Sequence, residues 1–234
     1  VTQSDNAQRL GPDRRGVEPT AALIELLASS ATSVRPLGSP WVQTLGWTAG
    51  AFLTLGVAAL LLDGTQHLAH FLATDQPVQT VAAAISAVLS ALACCLLSRP
   101  DRSGRWMLLP ALGLGGWFLS LGLGVAGEMR ADPEAAMALQ TSWGCARFIG
   151  LGGSAASFVL LWTNRVGLLL RPREVVLSAA LAGSTAAASV VGCTHSLETV
   201  LMVAAWHVGS VAVVSGLLVL LHQPIARGLV AVPA

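Results

Sequence analysis

The sequence predicts an all-α membrane protein, a bundle of six transmembrane helices preceded by a cytoplasmic amphipathic helix. Three observations carry that expectation. The 234 residues are 54% hydrophobic and only 11% charged, with a strongly positive mean hydropathy, which is too apolar for a water-soluble chain of this length. Six apolar runs, each almost free of formal charge, reach the ~20 residues needed to cross the hydrocarbon core. The basic residues near those runs gather on one side of the membrane.

In chain order the predicted spans are Trp41–Leu62, Val78–Ser98, Trp106–Gly127, Trp143–Thr163, Val175–Cys193 and Thr199–Leu221. The polar connections between them are short, which predicts helical hairpins. No segment alternates apolar and polar residues at every second position, so a β-barrel is excluded. Arg35, Arg99, Arg102, Arg105, Arg165, Arg171, Arg173 and Arg227 fall on the side shared by both termini, whereas the opposite loops offer Arg130. Cations are retained on the cytoplasmic face, so both termini are expected in the cytoplasm. All thirteen basic residues are Arg, a composition bias that carries no functional statement. They are dispersed over loops rather than gathered in a stripe, so the partner expected is the lipid bilayer and not nucleic acid.

The chain before the first span divides in two. Residues 1–18 are polar and rich in Gly and Pro, which predicts a disordered cytoplasmic tail and no cleavable signal peptide. Residues 19–40 form a helix and joint: Pro19-Thr20 marks a start, and Leu23, Ile24, Leu27, Ala31 and Val34 recur at helical spacing along one face before Pro36 ends it. Such a helix either rests on the inner leaflet or docks on a cytoplasmic partner through Leu23, Ile24 and Leu27. Its lack of cations on the polar face favours docking. Residues 41–221 are the transmembrane domain and 222–234 a cytoplasmic tail. Within the bilayer, Gly46-x-x-x-Gly50 and the row Ala179, Gly183, Ala187 have the spacing that lets helix backbones approach closely.

Chemistry concentrates at one end of the spans. Cys145 lies just inside the outer end of the fourth span and Cys193 just inside that of the fifth, whereas Cys94 and Cys95 lie at the cytoplasmic end of the second and are read as apolar filler. Two thiols facing the oxidising side can form a disulfide, bind a soft metal ion, be oxidised singly, or never meet. The residues leave these outcomes open. Arg147, His195 and His207 share the same layer, and ionisable groups within a span are costly and tend to have a role. Equally, Arg147 can snorkel to the interface and His207 can be a hydrogen-bonded core residue. The chain has no Cys-x-x-Cys, no His-Glu-x-x-His, no phosphate loop and no carboxylate pair within a span, so neither enzymatic turnover nor a cofactor is expected.

The stretches Leu23-Ile24-Glu-Leu-Leu-Ala with Val34-Arg35-Pro36-Leu37, Arg105-Trp-Met-Leu-Leu-Pro110, Ser142-Trp143-Gly-Cys145 and Trp206-His207 occur in an order and spacing that resembles the integral-membrane anti-sigma factors of the negative-regulator-of-sigma-F (NrsF) type. The resemblance covers residue 20 to the end. It implies that the N-terminal segment holds an extracytoplasmic-function sigma factor at the membrane and that outer cysteines sense heavy-metal or oxidative stress. Here that role falls on Cys145 and Cys193, with His195 and His207 as candidate helpers if a heavy-metal ion is the signal. Thr141 stands where the pattern leads one to expect His, which bears on a metal site more than on a disulfide. The rival expectations are a small transporter or channel with a polar path through Arg147 and His207, and a membrane thiol oxidoreductase.

Overall fold

The computed structural model describes residues 17–30, 38–63, 76–137, 141–193 and 199–231, and every regular element among them is helical. The chain divides into two units, Val1–Leu37 and Gly38–Ala234. The first contributes the helix Val17–Ser30, which begins two residues ahead of the expected Pro19. Proline is tolerated in a first turn because its missing N–H has no intrahelical partner to lose. Leu23, Ile24 and Leu27 are exposed on this helix. Ala31, Val34 and Pro36 lie outside the described residues, as do residues 1–16.

The second unit holds six helices long and apolar enough to cross a bilayer: Pro40–Leu62, Pro77–Leu97, Gly104–Ala131, Trp143–Thr163, Pro172–Gly192 and Val200–Leu220. Three of them open on proline, the residue suited to a first turn. The third is longer than expected, entering through a 3-10 turn at Gly104–Met107 and running past Gly127 to Ala131. Large apolar side chains cover the outside: Leu61, Leu151 and Leu220 are 82%, 77% and 78% exposed, an arrangement that only a lipid environment favours. Where a tail was expected after residue 221, His222–Val230 forms a helix whose Ile225, Ala226 and Leu229 pack on the core. Their spacing of one, three and four puts them on one face.

Hydrogen bonds between helices fix the antiparallel order. Trp47 Nε1, near the start of the first span, donates to Ala156 O near the end of the fourth, at 3.0 Å. Ser189 Oγ, late in the fifth, donates to Thr80 O early in the second, at 2.9 Å. Arg99, after the second span, donates to Gly38 O ahead of the first. The end where the first span begins and the sixth finishes is called proximal below, and the other distal.

The fifth span is the axis of the bundle, 89% buried, against 61% for the second and 22% for the first. Its run Ser178–Ser189 consists of Ala, Gly, Ser and Thr apart from Leu181. Small residues allow backbones to meet, which matters in lipid because apolar surface alone gives helices no reason to associate. A Cβ on Gly153 of the fourth span would lie 2.8 Å from Ser184 Cα, and one on Gly183 would lie 2.7 Å from Ser157 N. The hydroxyls in this layer bond within their own helices, Ser157 to Gly153 O at 2.7 Å and Ser184 to Ala180 O at 2.6 Å. They cost nothing in unpaired polarity. Gly46 and Gly50, by contrast, are exposed and meet nothing within 4 Å. Both rows have the spacing of a packing face, but only the Gly183 row meets a neighbouring backbone.

Gly183→Ala should therefore force the fourth and fifth spans apart and destabilise the bundle by about 1–3 kcal/mol. Gly216→Ala, where nothing lies within 4 Å, should be neutral or slightly stabilising. Thermal unfolding in detergent measures both. A Gly183→Ala midpoint equal to the parent's contradicts the close crossing.

Candidate functional site

At the distal end, three helix termini converge. The sixth span starts at Val200, whose N–H donates to Glu128 Oε2 of the third span at 2.8 Å, and Thr199 Oγ1 accepts from Met202 N at 3.3 Å. Two of the otherwise orphaned N–H groups of that helix end are thus satisfied, and a carboxylate sits where the helix dipole favours it. Four residues on, the helix widens into a π segment, Ala204–Val208, a form often found at functional positions. It carries Trp206 and His207. The Trp206 ring packs on Trp143 of the fourth span, centroids 5.5 Å apart and planes tilted by 60°, while His207 is buried.

Cys145 sits two residues beyond Trp143 and is fully buried. Ser142, at the N-cap of the fourth span, leaves the usual backbone cap unmade and donates its hydroxyl to Cys145 Sγ at 2.8 Å. Arg147 follows by two residues, which is about 200° around the helix at ~100° per residue. It is exposed, with Nε donating to Trp143 O at 3.3 Å. Sequence proximity to Cys145 therefore does not bring the guanidinium onto the thiol's face.

Cys193 ends the fifth span as its C-cap. It is half-buried, Sγ lies 3.5 Å from Ser189 O, and burial pushes the thiol up from its ordinary pKa. All four cysteines are free thiols. His195 lies outside the described residues, and among those described no three His, Cys, Asp or Glu side chains come together. His207 lines a small distal cavity of about 20 Å³ with Gln79, Thr80 and Trp117, room for about one water. Arg147 lines a different space, between the first and fourth spans. The two residues proposed as one polar path thus line separate cavities.

At the proximal end Cys94 and Cys95 are buried, and Cys95 is more than filler. Asn164 Nδ2, at the end of the fourth span, donates to its sulfur at 3.8 Å, so the thiol ties the second span to the fourth. Sequence reasoning also passed over Gln79 and Glu128, whose polarity at the ends of apolar runs was the available signal.

A bundle of six helices long and apolar enough to cross a bilayer, with large apolar side chains on its outside, defines a multi-pass membrane protein. A family model described as NrsF, negative regulator of sigma F, matches residues 27–227, and the chain belongs to that family. It is thus a member of a family of negative regulators of a sigma factor. No curated protein and no solved structure matches it.

The burial difference between the distal thiols has a direct readout. In detergent, Cys193 should be alkylated well before Cys145. Because burial raises its pKa, its rate should keep climbing with pH above the point where an ordinary thiol levels off. Equal early labelling of both thiols contradicts the geometry.

Proposed function

We propose that the chain is a membrane-bound anti-sigma factor of the bacterial inner membrane, with both termini cytoplasmic, that sequesters an extracytoplasmic-function sigma factor. It releases that factor when Cys145 and Cys193 are modified by an oxidant or a heavy-metal ion. The observation that carries the reading is the family match over residues 27–227. It is supported by the exposed row Leu23, Ile24 and Leu27 on Val17–Ser30, the pattern of a helix that docks into an apolar groove. The arginines of the proximal connections support the cytoplasmic assignment.

Modification of the thiols has a physical consequence in this packing. Disulfide formation removes two electrons and two protons to an external oxidant, and metal binding or single oxidation adds volume at sulfur. Cys145 is fully buried, so any of these requires the fourth span to shift. That span reaches the first through the Trp47–Ala156 hydrogen bond. A ligand acts only if it favours one helix arrangement over another, and modification that the resting packing cannot hold meets that condition.

Leu27→Asp should abolish co-purification of the sigma factor, weakening binding by about 2 kcal/mol or more, roughly thirtyfold, while the protein still inserts. Retained binding by an inserted variant removes this face from the contact. For the sensor, Cys145→Ser, Cys193→Ser and the double variant should lose stress-induced release to the same extent if the thiols act as a unit. The Cys94→Ser, Cys95→Ser double variant should respond like the parent. Full response by the Cys145/Cys193 double variant excludes both thiols as the sensor.

A further inference from the structure

The first and fourth spans touch at two places and part on either side of them. Trp47 bonds Ala156, and Leu55 closes on Gly152, where a Cβ would lie 2.8 Å from Leu55 Cδ2. Distal to Leu55 the helices enclose an open groove of about 530 Å³, walled by Leu55, Ala58, Leu62, Phe148 and Gly152, with Arg147 beside them. Proximal to it lies a second groove of about 410 Å³ along Gly46, Gly50, Thr54 and Ala155.

We propose that the distal groove is a binding site for an anionic phospholipid, its phosphate on Arg147 and an acyl chain laid along the first and fourth spans. Both parts of that molecule have a counterpart here. The walls are apolar and open toward the surroundings, and within a bilayer such a space is filled by hydrocarbon rather than water. Arg147 is exposed, four residues into the fourth span, about 6 Å along the axis, within snorkelling reach of a headgroup. Among the residues whose side chains are described, which leaves out Asp63, no carboxylate is ion-paired with it; the salt bridge found there joins Arg102 to Asp101. A cation within a span calls for a counter-charge, and the guanidinium fork fits phosphate. Complementary charge also decides against the other candidate for a glycine-lined groove, a helix from a second copy. An apolar helix seated there would bury Arg147 without a partner. The bound lipid would brace the least buried span against the helix that carries Cys145.

The test is native mass spectrometry of the delipidated full-length protein titrated with phosphatidylglycerol, phosphatidylcholine or inorganic phosphate. Expected are one tightly held phosphatidylglycerol per chain, weaker phosphatidylcholine, and no displacement by phosphate. Arg147→Gln should weaken phosphatidylglycerol about tenfold, Arg147→Lys less. Gly152→Leu, which fills the pinch from the groove side, should weaken both lipids in a protein whose helicity is unchanged. Equal binding of the two lipids with no effect of Arg147→Gln overturns the site, as does displacement by phosphate alone. A dimer that competes with lipid and is lost on Gly50→Leu would assign the groove to a second copy instead.

Discussion

The approach of the fourth span to the fifth at Gly153 and Gly183 sets the spacing on which the rest of the bundle depends. In lipid, helices gain little from burying apolar side chains against each other, because acyl chains offer the same contacts. Close backbone approach supplies what remains, a dense dispersion contact whose hydroxyls are already bonded on their own helices. Around this axis the second span adds a further close contact. A Cβ on Gly192 would lie 2.9 Å from Thr80 Oγ1, and the third span meets the second where a Cβ on Gly113 would lie 2.7 Å from Ser86 Cα. Four of the described spans, the second to the fifth, are thus held on small-residue crossings that leave no room for an added methyl group.

The first span is built differently. It carries large residues outward, Trp41, Leu45, Leu53 and Leu61, and meets the fourth through one indole hydrogen bond and one leucine. At its proximal end, Arg99 donating to Gly38 O adds a polar tie at the level where the helix begins. Its row Trp47, Ala51, Leu55 and Ala59 is buried along the helix, and it packs chiefly on the second and fifth spans; its contact with the fourth is the sparser one.

The six spans were legible in the sequence because crossing a bilayer demands length and apolarity, and both are written in each run. Their ends were legible to within a few residues, with proline and tryptophan as markers. What one sequence could not convey was which face of a helix meets which neighbour. Gly46 and Gly50 have the same spacing as Gly183 and Ala187, yet the former face open space, since the spacing reports small size and not the partner. Cys145 and Arg147 looked adjacent because counting residues hides the ~200° between them. The π segment at Ala204–Val208 leaves no mark in hydropathy, although the Trp206-His207 pair within it was among the residues that carried the family resemblance. The helix His222–Val230 was missed because its charged and polar residues outweighed the three that pack.

The widened turn of the sixth span gives the distal layer its direction. A π segment weakens the regular backbone ladder and persists where packing over-determines it. Here it lets His207 enter the bundle while the adjacent Trp206 reaches Trp143. The fourth span is consequently held on two sides, near Cys145 by the indole pair toward the sixth and about 12 Å further along by the glycine crossing toward the fifth. The sixth is itself clasped to the third through Glu128 at Val200 N. A strain introduced at the Cys145 sulfur meets stiff neighbours on those sides. The compliant side is the first span, 22% buried and joined through Trp47 eleven residues further along the fourth. Displacement follows the softest contact, so a shift of the fourth span at this level is taken up first on its side toward the first span, where the two helices touch least.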